Sequence, residues 1–290
     1  MPVKPHADYP KPPYPSQKQD MPGKTQKMDP VPDHGEDSYE GAGRLTDKVA
    51  IITGGDSGIG RAVAIAFARE GADVIISYLS ENDDAKDTAG IVEQAGRKAV
   101  LMKGDVRDES YCRSLIDHAV GELGRLDILV NNAAHQASFD AIEDISTSEW
   151  RATVDTNLTG MFFLCKSAVA KMKPGATIIN TSSINFKDPS PGLLVYAMTK
   201  GAIANFTAGL SGLIAEKGIR VNAVAPGPIW TPLIPSTLPR EKVENFGADT
   251  PLGRAGQPAE LAPAFVYLAS EESSYVTGAV LPVTGGRLML

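Results

Sequence analysis

Tyr196 and Lys200 stand four positions apart in residues 194–216, a stretch whose apolar spacing predicts a helix. At that separation both side chains leave the same helical face, one turn apart. A free phenol titrates near 10, too high for ready proton transfer at neutral pH. A neighbouring ammonium stabilises phenolate, so Lys200 is expected to pull the Tyr196 value down. Tyr196 would then give a proton to an alkoxide formed on reducing a carbonyl, or take one when an alcohol is oxidised. A Tyr and a Lys at this spacing occur on many helices. The pair gains meaning from Ser182-Ser183, which close a predicted strand over 176–181. A hydroxyl at such a strand end can polarise an oxygen on which negative charge develops.

A second set of residues has the chemistry to hold a phosphate. The apolar strand 49–53 runs straight into Gly54-Gly55-Asp56-Ser57-Gly58-Ile59-Gly60, where a helix over 58–70 begins. Glycines let the backbone turn sharply and approach a pyrophosphate, and the helix start offers free N–H groups. A glycine turn alone can be a tight connection and nothing more. Its place after the first strand of a β-α-β unit favours a dinucleotide site.

These residues need a scaffold, and the rest of the chain supplies one. Predicted strands at 73–78, 98–103, 127–131, 176–181, 220–225 and about 279–283 alternate with helices over 81–95, 109–123, 148–171, 194–216 and 258–270. The strands are nearly continuous runs of Val, Ile and Leu, as expected where helices cover both faces of a sheet. Regular alternation implies parallel strands with right-handed crossovers. The expectation is one α/β domain over 45–290, a Rossmann-like doubly wound parallel sheet. The segment 229–250, with Pro232, Pro235 and Pro239, breaks the alternation and reads as a mobile lid or short-helix insert. Residues 1–44 are rich in Pro, Lys, Gln, Asp and Tyr and nearly free of aliphatic side chains. They cannot bury a core, so they form either a disordered tail or an extended arm, with Tyr9, Tyr14, Met28 and Tyr39 available as anchors.

The glycine spacing, Thr-Gly-x-x-x-Gly-x-Gly through Gly54, Gly58 and Gly60, departs from G-x-G-x-x-G and resembles the short-chain dehydrogenase/reductase family. Asn131-Asn132-Ala133, Tyr196-Ala197-Met198-Thr199-Lys200 and Pro226-Gly227 extend the likeness over about residues 45–286. Within that family the Pro-rich arm is similar to that of bacterial NADP-dependent aldehyde reductases and of glucose/ribitol-dehydrogenase-like proteins.

The resemblance implies hydride transfer between NAD(P)(H) and a small carbonyl or alcohol. A sugar or polyol dehydrogenase and an idle nucleotide sensor are the alternatives, the intact Ser183, Tyr196 and Lys200 counting against the second. It implies that Asn157, Ser183, Tyr196 and Lys200 form the catalytic set, with Ser182 a structural neighbour. On the cofactor it implies Gly54, Asp56, Ser57, Gly58, Ile59, Gly60, Tyr78, Asp105, Val106, Asn132, Ala133, Pro226, Gly227, Ile229 and Thr231, together with Tyr196 and Lys200. Asp105 would bind the adenine amino group, or else cap the next helix. The second strand ends in Ser77-Tyr78-Leu79-Ser80 without the carboxylate that holds the ribose of NAD, so NADP is favoured, NAD remaining possible. Arg61 stands near enough in sequence to reach a 2′-phosphate. His135 could touch substrate, and a homotetramer is implied.

Composition closes off other classes. A net charge of −7 offers no basic face for nucleic acid or an anionic membrane, and no apolar run is long enough to span a bilayer. The N-terminal residues lack the apolar core of a secretory signal, so the cytoplasm is the expected compartment. Two isolated cysteines, Cys112 and Cys165, make no disulfide framework, and the four histidines have no metal-ligand spacing.

Overall fold

In the computed structural model, which describes residues 9–287, the apolar runs become seven strands. They are β1 (Val49–Thr53), β2 (Asp73–Tyr78), β3 (Ala99–Lys103), β4 (Ile128–Asn131), β5 (Thr177–Thr181), β6 (Arg220–Pro226) and β7 (Val280–Val283). All pair in parallel in the order β3-β2-β1-β4-β5-β6-β7. The helices are α1 (Gly58–Arg69), α2 (Asn82–Gln94), α3 (Glu109–Glu122), α4 (Thr147–Val154), α5 (Gly160–Val169), α6 (Leu194–Leu213), α7 (Leu233–Thr237), α8 (Arg240–Glu244) and α9 (Pro258–Ala269).

Every residue of β1, β4 and β5 is buried, which explains runs without polar alternation. Successive side chains enter opposite layers. Ala50, Ile52, Val74 and Ile76 pack beneath α1, α2 and α9, whereas Ile51, Ile75, Leu129 and Ile178 pack against α3, α5 and α6. Pro282 lies in the outermost strand, where its missing N–H costs the ladder least. From β1 the chain winds outward to β3, then returns to place β4 on the other side of β1. The strand order reverses there, and the carboxyl ends of the two strands open a crevice.

The helix expected over 148–171 is not one regular helix. Between α4 and α5, Asp155–Thr159 forms a π turn with Asn157 at its centre. A π turn widens the helix by one residue and turns a side chain off its regular face. The insert at 229–250 contains α7 and α8.

Residues 9–44 contain no strand and lie along the domain. Tyr9, Tyr14 and Met28 are buried. Tyr14 stacks on Trp230 with centroids 4.2 Å apart, and the Trp230 indole N–H donates to the Pro30 carbonyl at 2.8 Å. These rings form a small core with Ile234, Leu238 and Val243 of the insert. A second anchor lies at the end of α1. Glu70, 0% exposed, accepts from the Tyr39 hydroxyl (2.7 Å), the Ala42 and Arg44 backbone N–H groups (both 2.9 Å) and the Arg44 guanidinium (2.6 Å). Burial pushes this carboxyl up, but the hydrogen bonds from Arg44, Tyr39 and Ala42 outweigh it and hold it at about 2.

Candidate active site

A cleft of about 1010 Å³ opens over the carboxyl ends of β1, β4, β5 and β6, at the upper end of ordinary ligand-pocket volumes. It is roomy enough for an extended cofactor and a small substrate together. Of the residues singled out in the sequence, Gly54, Asp56, Ser57, Gly58, Ile59, Tyr78, Asp105, Val106, Asn132, Ala133, Ser183, Tyr196, Lys200, Pro226, Gly227, Ile229 and Thr231 line it. Gly60, Arg61 and Asn157 do not.

The glycine turn fits a phosphate. No side chain caps the start of α1 and no acid occupies its first turn, so the N–H groups and the positive dipole end remain available to an anion. Gly60 lies beneath the turn. A Cβ there would fall 1.9 Å from the Gly54 carbonyl oxygen, so the close helix–loop packing requires glycine. Asn132 braces the turn from the neighbouring strand, its side-chain amide donating to the Thr53 and Gly54 carbonyls at 3.1 and 3.2 Å. Asn131 instead spans to β5, donating to Asn180 Oδ1 at 2.8 Å. The buried Asp56 carboxyl is pushed up to about 6 by desolvation, with Asp84 and Glu81 adding to the effect and hydrogen bonds opposing it.

Arg61 corrects the sequence reading. Its Nε donates to Glu36 Oε1 of the arm at 3.2 Å, so the arm covers the helix face from which this side chain leaves, and the guanidinium is absent from the cleft wall. Asp105 does not cap α3, a role taken by Asp108, which accepts from the Ser110 N–H at 2.8 Å. Asp105 pairs with Arg107 at the cleft wall and lies below the ordinary carboxylate range because of that hydrogen bond.

At the other end of the cleft, three side chains converge. The Lys200 ammonium, on α6, donates to the Thr181 carbonyl at 2.7 Å and lies 5.2 Å from the Tyr196 ring centroid. Ser183 follows β5, and its hydroxyl accepts from the Asn185 N–H at 3.2 Å and acts on the Tyr196 phenol by holding its value down. Ser182 turns away, its hydroxyl donating to the Lys200 carbonyl at 2.9 Å, which fixes α6 to the strand end. Asn157 stands one layer behind. Its carbonyl oxygen accepts from the His135 N–H at 2.7 Å, and its amide donates to the His135 carbonyl and to Thr199 Oγ1. It therefore holds the 135 peptide at the cleft wall. His135 itself lines the cleft and meets Glu149 Oε1 at 2.8 Å.

The electrostatics reverse one expectation. Burial pushes the Tyr196 phenol up to about 12, and the Ser183 hydrogen bond opposes this without overcoming it. Lys200, 2% exposed, is itself pushed down to about 7 by desolvation. Desolvation sets the direction of both shifts, and it favours the neutral phenol at Tyr196.

Sequence reasoning missed several cleft residues. Met21, Pro22 and Gly23 of the arm line it, as do Glu81 and Arg107. Glu81 directly follows the segment read for a ribose carboxylate and was one residue out of range. The arm residues carry no local signal, since only the folded path brings them there. Among the described residues no group of His, Cys, Asp or Glu is arranged to hold a metal, and no helix is long and apolar enough to cross a membrane.

The sequence model of a family described as enoyl-(acyl carrier protein) reductase matches residues 54–287. The chain is similar to the uncharacterized oxidoreductase YghA of Escherichia coli, at 54% identity over 276 residues and 94% of each chain. It is also similar to the glucose and ribitol dehydrogenase of Daucus carota, at 44% identity over 283 residues, covering 95% of this chain and 97% of that one. Among solved structures, a short chain dehydrogenase from Burkholderia cenocepacia J2315 in complex with NADP aligns with a TM-score of 0.78 at 29% identity, covering 84% of this chain and 98% of that one.

Proposed function

The chain belongs to the short-chain dehydrogenase/reductase family, and from that premise we propose that it is an aldehyde or ketone reductase using NADP(H). The observation that carries this reading is the convergence of Ser183, Tyr196 and Lys200 in one cleft with a phenol that keeps its proton. In reduction the bound nicotinamide supplies the hydride. The uncapped start of α1 at Ser57–Ile59 would hold the pyrophosphate, and Tyr78 and Asp105 would flank the adenosine. Lys200 and Pro226-Gly227 would border the nicotinamide end.

The remaining steps belong to this chain's own side chains. The Ser183 hydroxyl donates to the substrate oxygen and so favours the charge that develops there. Tyr196, pushed up to about 12, releases its proton to that oxygen as the alkoxide forms. Lys200 lies close enough to Tyr196 to stabilise the phenolate left behind. Asn157 keeps the 135 peptide in place.

A sugar or polyol substrate is the second reading. Gln136, Asn185, Asp188, Glu241, Lys242 and Asn245 give the cleft several hydrogen-bonding groups suited to a molecule with many hydroxyls. The test follows NADPH and NADH absorbance against small aldehydes, ketones, sugars and polyols, with wild type and Tyr196→Phe side by side. The expected result is turnover that falls by more than about a thousandfold in the variant, the scale of lost general acid catalysis. Turnover that survives in Tyr196→Phe would overturn the assignment. Exclusive turnover of sugars would move the conclusion to the second reading.

A further inference from the structure

The N-terminal arm walls one side of the cleft at its nucleotide end, and contacts on both flanks set its path. On one flank the Gln19 N–H donates to the Pro235 carbonyl at 3.0 Å, and the Lys18 ammonium donates to the Leu238 carbonyl at 3.2 Å. On the other, the Thr25 N–H donates to the buried Asp84 carboxylate at 2.9 Å, and the Gln26 amide donates to Asp87 at 2.9 Å. Between them the chain presses on the insert, where a Cβ on Gly23 would lie 2.4 Å from the Pro232 carbonyl oxygen. Met21, Pro22 and Gly23 line the cleft, and Lys24, just outside its wall, holds its ammonium 3.3 Å from the Oε2 of Glu81, which lines it.

Glu81 is the residue to which this wall matters. It lies just beyond the end of β2, 21 positions after Gly60 (81 − 60), and its side chain is only 12% exposed. A carboxylate at about that separation from a glycine turn accepts a hydrogen bond from the ribose 2′-hydroxyl of NAD, and a cation nearby accommodates the 2′-phosphate of NADP. An unpaired Glu81 would repel a 2′-phosphate. The Arg107 guanidinium at the same end is held by Asp105. The Lys24–Glu81 pair therefore places a cation from the arm against the one carboxylate here that is suited to the ribose.

We propose that Lys24 sets the cofactor choice of this protein. Its ammonium offsets Glu81 and binds the 2′-phosphate of NADP(H); without it, Glu81 takes the ribose hydroxyls of NAD(H). The proposal rests on the reading above that the cleft holds a nicotinamide dinucleotide, and its test measures binding and not turnover. NADPH and NADH are titrated calorimetrically into the full-length wild type, Lys24→Ala, Lys24→Arg, Glu81→Gln and Gln26→Ala. Lys24→Ala is expected to weaken NADPH on the order of tenfold, the scale of one hydrogen bond to a charged group, while NADH is unchanged or tighter. Glu81→Gln is expected to weaken NADH and spare NADPH. Lys24→Arg is expected to keep the NADPH affinity, and Gln26→Ala, whose contact lies outside the cleft, to change neither. Equal weakening of both nucleotides in Lys24→Ala, or no change in either, would overturn the proposal and leave the arm a structural strap. Wild-type protein that binds neither nucleotide would overturn the cofactor reading itself, and this proposal with it.

Discussion

Replacing Glu70 by Gln keeps the volume of the side chain, removes its charge and turns one acceptor into a donor facing donors. Glu70 is 0% exposed and receives the Tyr39 hydroxyl, two backbone N–H groups and the Arg44 guanidinium. Breaking a buried ion pair from one side costs about 3–5 kcal/mol. Arg44 is 30% exposed and can rehydrate, which places the expected loss near the lower end. A second route gives a similar magnitude. The carboxyl is held at about 2 instead of 4.5, equivalent to about 3 kcal/mol. For a chain of this size that corresponds to a Tm lower by roughly 5–10 °C.

The pH dependence distinguishes this account from a packing defect. A carboxyl whose folded value is depressed stabilises the protein fully above about 4.5, and that stability is lost as pH falls through about 2. The gap between wild type and Glu70→Gln should therefore shrink, from about 3 kcal/mol at pH 7 to about 2 kcal/mol at pH 3.5. Calorimetric melting at both pH values checks it, with limited proteolysis reporting release of the arm at Tyr39–Arg44. A Tm change below about 2 °C, or a gap that is the same at both pH values, would refute the reasoning.

Two further outcomes are expected. Gly60→Ala drives a Cβ to 1.9 Å from the Gly54 carbonyl oxygen, so nucleotide affinity should fall by more than about tenfold with little loss of secondary structure; unchanged affinity by titration would show that the turn can relax. Because burial pushes Lys200 down to about 7, kcat/KM for reduction should decline as pH rises through that value and Lys200 loses its charge. In the same rate profile Lys200→Arg, lower in activity but permanently charged, should show no such decline; a flat wild-type profile to pH 9 would remove Lys200 from the titrating set.

Much of this molecule is legible in the order of its residues because the signals are local. Val49–Thr53 and the strands after it read as strands since a doubly covered sheet asks for apolar residues at every position. The glycine turn reads as an anion cradle because its shape depends on backbone freedom within a few residues. Tyr196 and Lys200 read as a pair because a helical turn alone brings them together. What the tertiary structure decided involves residues far apart in sequence or the dielectric around them. Arg61 stood near enough in sequence to reach a 2′-phosphate until the arm placed Glu36 against it. Asn157 became a brace for the 135 peptide through a π turn that no periodicity announces. Glu81 acquired Lys24 from a segment 57 residues earlier (81 − 24), by a path that only packing on Trp230 and the insert defines. The direction of the Tyr196 shift also waited for the fold. Spacing shows that an ammonium is near, but only the burial of both groups shows that desolvation sets the direction of each shift.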